Sequence, residues 1–241
     1  MPAAAKTPRR RSPVVSRHYG GVSPEERRQQ RRAKLLTAGL QVFGTRGAQR
    51  STIRDICVEA GLTERYFYES FKSLGELFDA VYAQVNDELM HAVVAAVSRI
   101  PPQAMPLIET GLTVFFSTMR DDPRRAQVLL IDGNTGTYAQ LRKAGEAARG
   151  YSKLMLDFAN VLYPGAKEQG LDVDILVTGL TGMTIHIATS WYRDGFKTPL
   201  ETVLHNNLFA YRSITEWVQQ AGAGSVESGR PAAAGPGGSR N

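Results

Sequence analysis

Apolar positions along this 241-residue chain recur at spacings of three and four rather than two, which predicts helices throughout. The clearest stretch is Thr52–Phe71, TIRDICVEAGLTERYFYESF. Its Ile53, Ile56, Cys57 and Ala60 fall at i, i+3, i+4 and i+7, one apolar face of a short helix. Gly61 follows where a sharp turn needs left-handed backbone, and Leu62 points back into the angle. Thr63 is the natural N-cap of a second helix, its hydroxyl facing free backbone N–H groups. In that helix Phe67 and Phe71 lie one turn apart and bury against the first. Glu64, Arg65, Tyr66, Tyr68 and Glu69 are left facing outward, with Lys72 just after. This is the pattern of a helix-turn-helix.

Start and stop signals divide the rest. Ser23-Pro24-Glu25-Glu26 opens a first helix with an N-cap, a first-turn proline and a capping box. It is expected to run to about Phe43 with Ala33, Leu36, Leu40 and Phe43 on one stripe, and to end at Gly44 and Gly47. Thr52 caps the next helix with Asp55 three residues on. Ser73-Leu74-Gly75-Glu76 reads as a further capping box before a long helix carrying Leu77, Phe78, Val81, Val85, Leu89, Val93 and Val97. Pro101-Pro102 stop it, after roughly 37 Å at 1.5 Å per residue. Apolar-periodic stretches follow at about 104–119, 123–131, 137–163, 172–193 and 199–220. Breaks fall at Asp121-Asp122-Pro123, Gly133–Gly136, Pro164–Gly170 and Gly195–Pro199. Thr198-Pro199-x-Glu201 combines N-cap, proline and capping box for the last helix. The prediction is an all-α chain of about nine helices. A helix-turn-helix domain (22–75) is followed by a helical body (76–221), between an arm (1–21) and a tail (222–241) whose compositions read as disordered.

Charge gives this layout a direction. Residues 1–75 hold 15 Lys/Arg against 6 Asp/Glu, whereas residues 76–241 hold 14 against 17. The positive excess sits with the helix-turn-helix, where a phosphate backbone attracts it. Arg9, Arg10, Arg11 and Arg17 of the arm are placed to reach DNA or merely to be solvated. No run reaches the roughly 18 unbroken apolar residues of a membrane span. The basic N-terminus lacks a secretory apolar core, and the single Cys57 fits a reducing compartment, so a cytoplasmic location without membrane contact is expected. His18, His91, His186 and His205 show no metal spacing. Neither GxxxxGK[ST], GxSxG nor a His-x-x-x-His pair occurs, and Asp121-Asp122 reads as a helix stop, so neither a cofactor nor an enzymatic activity is expected.

Three N-terminal helices with a helix-turn-helix, a long fourth helix and a helical body resemble the TetR family of transcriptional regulators. Phe43 and Gly47, Thr52-Ile53-x-x-Ile56, Ala60-Gly61-Leu62-Thr63, Phe67-Tyr68-x-x-Phe71 and Glu76-Leu77 carry the resemblance, over about residues 25–80. It implies that Thr52 and Tyr68 touch phosphates and that Lys72 lies close to the DNA backbone. Thr63, Glu64, Arg65 and Tyr66 would lie nearest the base edges. Leu74 departs from the pattern, since many members have a phosphate-binding lysine there. Phosphate contacts position a protein while base edges specify sequence. Arg65 has the fork to pair with a guanine; a phosphate contact or a pair with Glu69 is its alternative.

The resemblance also implies a homodimer, sealed by the last two helices. Leu176, Leu180, Met183, Ile187 and Trp191 would supply apolar knobs, with Gly179 and Gly182 admitting close approach. Val203, Leu208, Phe209, Tyr211, Ile214, Trp217 and Val218 suit the second helix, giving a four-helix seam. Helices within about 104–163 would enclose a small apolar effector among Phe115, Phe116, Met119, Leu130, Met155 and Phe158, with Glu109, His186 or Trp191 as polar handles. The same residues also suit plain core. The expected function is a dimeric repressor released from a palindromic double-stranded operator by a small-molecule effector. The alternative is a structural or architectural DNA-binding protein without one.

Overall fold

Helix follows helix through residues 23–133, 150, 152–159 and 172–227, the part of the chain that the computed structural model describes. Among these residues there is no strand. The arm at 1–21 and most of the tail and of the 137–163 stretch lie outside the described residues, as do Pro164–Gly170 and most of Gly133–Gly136.

Helix α1, Pro24–Arg46, begins as expected. The Glu26 N–H donates to Ser23 Oγ at 3.0 Å and the Ser23 N–H to Glu26 Oε2 at 2.6 Å. It runs past Phe43 to Arg46 and stops at Gly47, one of the two glycines expected to end it, whose φ is 82°. Gly44 stays helical, and its missing side chain has another use. A Cβ there would collide with Arg124, coming within 2.7 Å of its Cα. The buried stripe is Leu35, Ala38, Gly39, Val42 and Phe43, with Leu36 and Leu40 half-buried and Ala33 exposed. The shift arises because α1 is packed from more than one side, so no single predicted stripe faces its core.

Helices α2 (Ile53–Ala60) and α3 (Glu64–Tyr68) form the helix-turn-helix, and α4 (Leu74–Val97) carries it onto the body. All seven predicted α4 positions are buried, joined by Tyr82, whose hydroxyl burial pushes up to about 12. The predicted box at its start is only half made. Ser73 Oγ accepts the Glu76 N–H, but Glu76 turns its carboxylate to the Lys72 N–H at 2.7 Å instead.

The body comprises α5 (Ala104–Asp121), α6 (Pro123–Ala126, continuing as a π turn over Gln127–Asp132), α7 (152–159), α8 (Val173–Arg193) and α9 (Leu200–Glu227). Asp122 caps α6 as the predicted stop, its carboxylate accepting the Arg124 N–H. Thr198 does not cap α9. The Pro199 carbonyl takes the first N–H groups, from Thr202 and Val203, while the Thr198 carbonyl accepts the Trp191 indole at 2.7 Å. Helix α9 also runs on to Glu227, past the expected end near residue 220.

Helices α8 and α9 run antiparallel. Val173 and Val177 cluster with Val218, and Thr184 meets Asn207 and Tyr211 at 3.3 and 2.9 Å. One apolar core runs from α1, α2 and α3 through α4, α5 and α6 to α8 and α9. Helix α8 has the length and apolarity of a membrane-crossing helix (mean hydropathy 1.2). Its apolar and small residues divide between a side packed into the protomer and an exposed strip containing Ile175, Gly179 and Gly182.

Candidate nucleic-acid interface

Two short helices need more than propensity to hold their angle, because an isolated turn or two of helix is unstable in water. Here polar ends fix α2. Thr52 Oγ1 accepts the Asp55 N–H, and Asp55 Oδ2 accepts both the Thr52 N–H at 2.9 Å and its hydroxyl at 2.7 Å. Arg46, at the end of α1, closes on the other carboxylate oxygen at 2.8 Å. Those Thr52 hydrogen bonds, more than Arg46, hold the Asp55 carboxyl below its ordinary value. Gly61 then turns the chain in left-handed backbone (φ 63°, ψ 36°), and the Leu62 N–H returns to the Cys57 carbonyl. Burial pushes the Cys57 thiol up, with a smaller push from Glu64.

In α3 the inward residues are Phe67 and, just beyond, Phe71, both buried, with rings 6.0 Å apart. Glu64, Arg65, Tyr66, Tyr68 and Lys72 are exposed, Tyr68 more than Tyr66 (56% against 37%). Thr63 occupies the N-cap position but, contrary to expectation, its side chain makes no capping bond. Its hydroxyl, the Tyr68 hydroxyl and the Lys72 ammonium have no partner among the described residues. Arg65 does pair with Glu69, at 3.5 Å. Leu74 packs half-buried on the core at the start of α4. Thr52, Thr63, Glu64, Arg65, Tyr66, Tyr68 and Lys72 thus lie on the exposed surface of the helix-turn-helix.

Sequence reasoning missed two participants. Arg31 and Arg32 of α1 reach across to α3, Arg31 to Glu69 at 3.2 Å and Arg32 to the Ser70 carbonyl at 3.2 Å. Their guanidinium groups lie over the Tyr66 and Phe71 rings. A separation of 38 residues leaves no local signal for such pairs.

A second set of contacts ties this unit to the body through α6. Arg124 donates to Gln41 of α1 at 2.6 Å, and Arg125 pairs with Glu88 of α4 at 2.7 Å. Buried Asp132 accepts the Ala48 N–H, in the turn between α1 and α2, at 3.0 Å. Its other oxygen accepts from Gln127 Nε2 at 3.0 Å, and Gln127 Oε1 accepts the Tyr192 hydroxyl of α8 at 2.7 Å. Burial pushes the Asp132 carboxyl up, while these amide donors and Arg50 pull it down. π turns recur where a helix is bent to functional use; this one aligns Gln127 with Asp132.

The residues expected in the dimer seam separate into two groups. Leu180 and Trp191 turn inward, and Trp191 rests edge-on against Phe116 and Phe196. Met183, Ile187 and Ile214 are half-buried, while Phe209 (69%) and Trp217 (49%) are exposed. Ile175, not singled out from sequence, is as exposed as Phe209. Of the expected effector residues, Phe116, Met119 and Leu130 are buried in core, and Phe115, Met155 and Phe158 are half-buried against it. His186 is exposed on the outer strip of α8 with Gly179 and Gly182, so it does not serve as an inward handle. Among the described residues no group of three or more His, Cys, Asp or Glu is arranged to hold a metal ion.

Residues 35–81 match the family described as bacterial regulatory proteins, tetR family. The nucleoid occlusion factor SlmA of Haemophilus influenzae is 25% identical over 134 residues. That match covers 55% of this chain and spans 60% of the relative's length. Among solved structures, a transcriptional regulator from Pseudomonas aeruginosa PAO1 superposes with a TM-score of 0.65 at 18% identity, covering 77% of this chain and 90% of its own. FadR from Bacillus halodurans, a fatty acid degradation regulator, gives 0.64 at 15%, over 73% and 92%. FadR from Bacillus subtilis, in complex with stearoyl-CoA, gives 0.63 at 17%, over 73% and 95%. At these identities the solved structures share a fold with this chain. The matched family domain contains the whole of α2, the turn and α3, so residues 35–81 form a helix-turn-helix domain of the tetR type, set on the helical fold that these solved regulators share.

Proposed function

We propose that the chain acts as a homodimeric repressor, holding a palindromic DNA operator until a small apolar effector enters its body. The observation that carries the reading is α3 itself. Phe67 anchors it from below, and Thr63, Arg65, Tyr68 and Lys72 stand outward on a unit rich in positive charge. In the bound state Thr52, Tyr68 and Lys72 are assigned to phosphates, and Thr63, Glu64, Arg65 and Tyr66 to base edges.

One such helix reads few base pairs, and helix-turn-helix proteins gain range by spanning two half-sites about 34–36 Å apart. Ile175, Phe209 and Trp217 leave apolar surface uncovered on α8 and α9, and open Gly179 and Gly182 would let a second copy approach. Coupling to an effector would run through α6, which bonds to α1, α4, the Ala48 turn and α8 together. An effector lodged by Phe115, Met155 and Phe158, before Phe116, Met119 and Leu130, would displace α6. It shifts DNA binding only as far as it prefers one arrangement of the body.

The test is selection of bound sequences from a random duplex pool at physiological salt, followed by release assays on the selected duplex. A two-fold palindrome is expected, released by a compound with a long apolar acyl chain; long-chain acyl-CoA is the first to try, since one structural relative is in complex with stearoyl-CoA. Recovery of DNA without a shared motif would sink the repressor reading. It would favour a structural DNA binder, the second reading, which the relative named a nucleoid occlusion factor supports.

A further inference from the structure

Arg65 and Arg31 share one carboxylate. Glu69 Oε1 faces Arg65 Nε at 3.5 Å, and Glu69 Oε2 takes Arg31 Nη2 at 3.2 Å. The two arginines differ sharply in surroundings. The Arg65 side chain is 86% exposed, whereas Arg31 is 23% exposed and lies 4.6 Å over the Tyr66 ring. Arg31 is kept there although its Nε is buried without a hydrogen-bond partner. Its pairing with Glu69 and its stacking on Tyr66 therefore outweigh a lost hydrogen bond. So enclosed a side chain offers little to a phosphate.

We infer that Arg31 is a positioning residue for sequence reading: by occupying Glu69 it keeps Arg65 loosely held and available to a base edge. This deepens the regulator reading above and rests on it. The chemistry is competition for one anion. With both oxygens of Glu69 engaged, Arg65 holds only the longer contact and leaves readily for guanine O6 and N7. Without Arg31 the whole carboxylate falls to Arg65, an i,i+4 neighbour on the same helix. The fork then closes on Glu69 and withdraws from the groove.

The experiment measures binding to the selected operator and to single-base variants of it, across a salt series, for wild type, R31Q, R31K, R65A and R31Q/E69Q. R65A identifies the base pair that Arg65 reads. The expected result is that R31Q loses discrimination at that same pair by about tenfold while the slope of log affinity against log salt is unchanged. R31Q/E69Q regains discrimination, because no carboxylate then retains Arg65, and R31K keeps it, because a charge still sits on Glu69. A slope reduced by about one per protomer with base preference intact makes Arg31 a phosphate contact and overturns the inference. Uniform weakening that E69Q does not relieve makes it a structural residue only. Should R31Q not fold, R31K discriminating as poorly as R65A overturns the inference. A wild type that selects no sequence overturns the regulator reading itself, and this assignment with it.

Discussion

The two halves of the molecule are held together by different means. Residues 23–73 are tied by polar contacts within and between their helices: the Ser23–Glu26 and Thr52–Asp55 boxes, Arg46 on Asp55, and Arg31 and Arg32 over α3. From α4 onward apolar stripes such as Leu77 to Val97 do most of the joining. Polar ties there gather at α6 and between α8 and α9. Hydrogen bonds and ion pairs fix direction to within tenths of an ångström, while apolar contact is roughly proportional to area and tolerant of sliding. A reading head needs fixed geometry. A body that answers an effector needs a second packing close in energy to the first.

The strongest way to break this comparison is to remove a large apolar anchor of the reading head. Phe67→Ala empties a fully buried site between α2 and α3 and is expected to cost about 3–5 kcal/mol. Urea unfolding followed by circular dichroism measures it. A loss under 1 kcal/mol would show that Phe71 and the contacts from Arg31 and Arg32 hold α3 without it. Next comes the uncovered face of the body. Phe209→Glu with Trp217→Glu should leave helical content unchanged and convert dimer to monomer in sedimentation, costing each interface more than about 2 kcal/mol. A sedimentation profile identical to that of the wild type would move the seam elsewhere.

The smallest effect sharpens the polar side. Thr52→Ala removes the cap of α2 and is expected to cost about 1 kcal/mol at neutral pH. The Asp55 carboxyl lies below its ordinary value chiefly through Thr52, so its contribution is present above the ordinary carboxylate range and lost as pH falls through the lowered value. The gap between wild type and variant should therefore narrow in acid. A gap independent of pH would assign the loss to the helix cap without Asp55.

The same division explains what could be read from sequence. Caps and turns act between neighbours, so Ser23, Thr52, Gly61 and Asp122 declared their roles in order. The apolar stripe of α4 was legible because one periodicity serves one core. Periodicity does not say which partner a face meets, and so Trp191 and Leu180 looked like seam residues although they fill the protomer. Thr63 has the right residue type at the right place, yet its hydroxyl is unused by the helix. Nothing local marks Arg31 and Arg32, because the residues they hold lie 38 positions away.

Gly44 has a mechanical meaning. Between the end of α1 and the start of α6 there is no room even for a methyl group, so the two helices mesh without play. On the proposed route, an advance of α6 would press directly on α1 at this point. In a gear train that is freedom from backlash. For the proposed repressor, the route from an effector in the body to the reading head would pass through this contact.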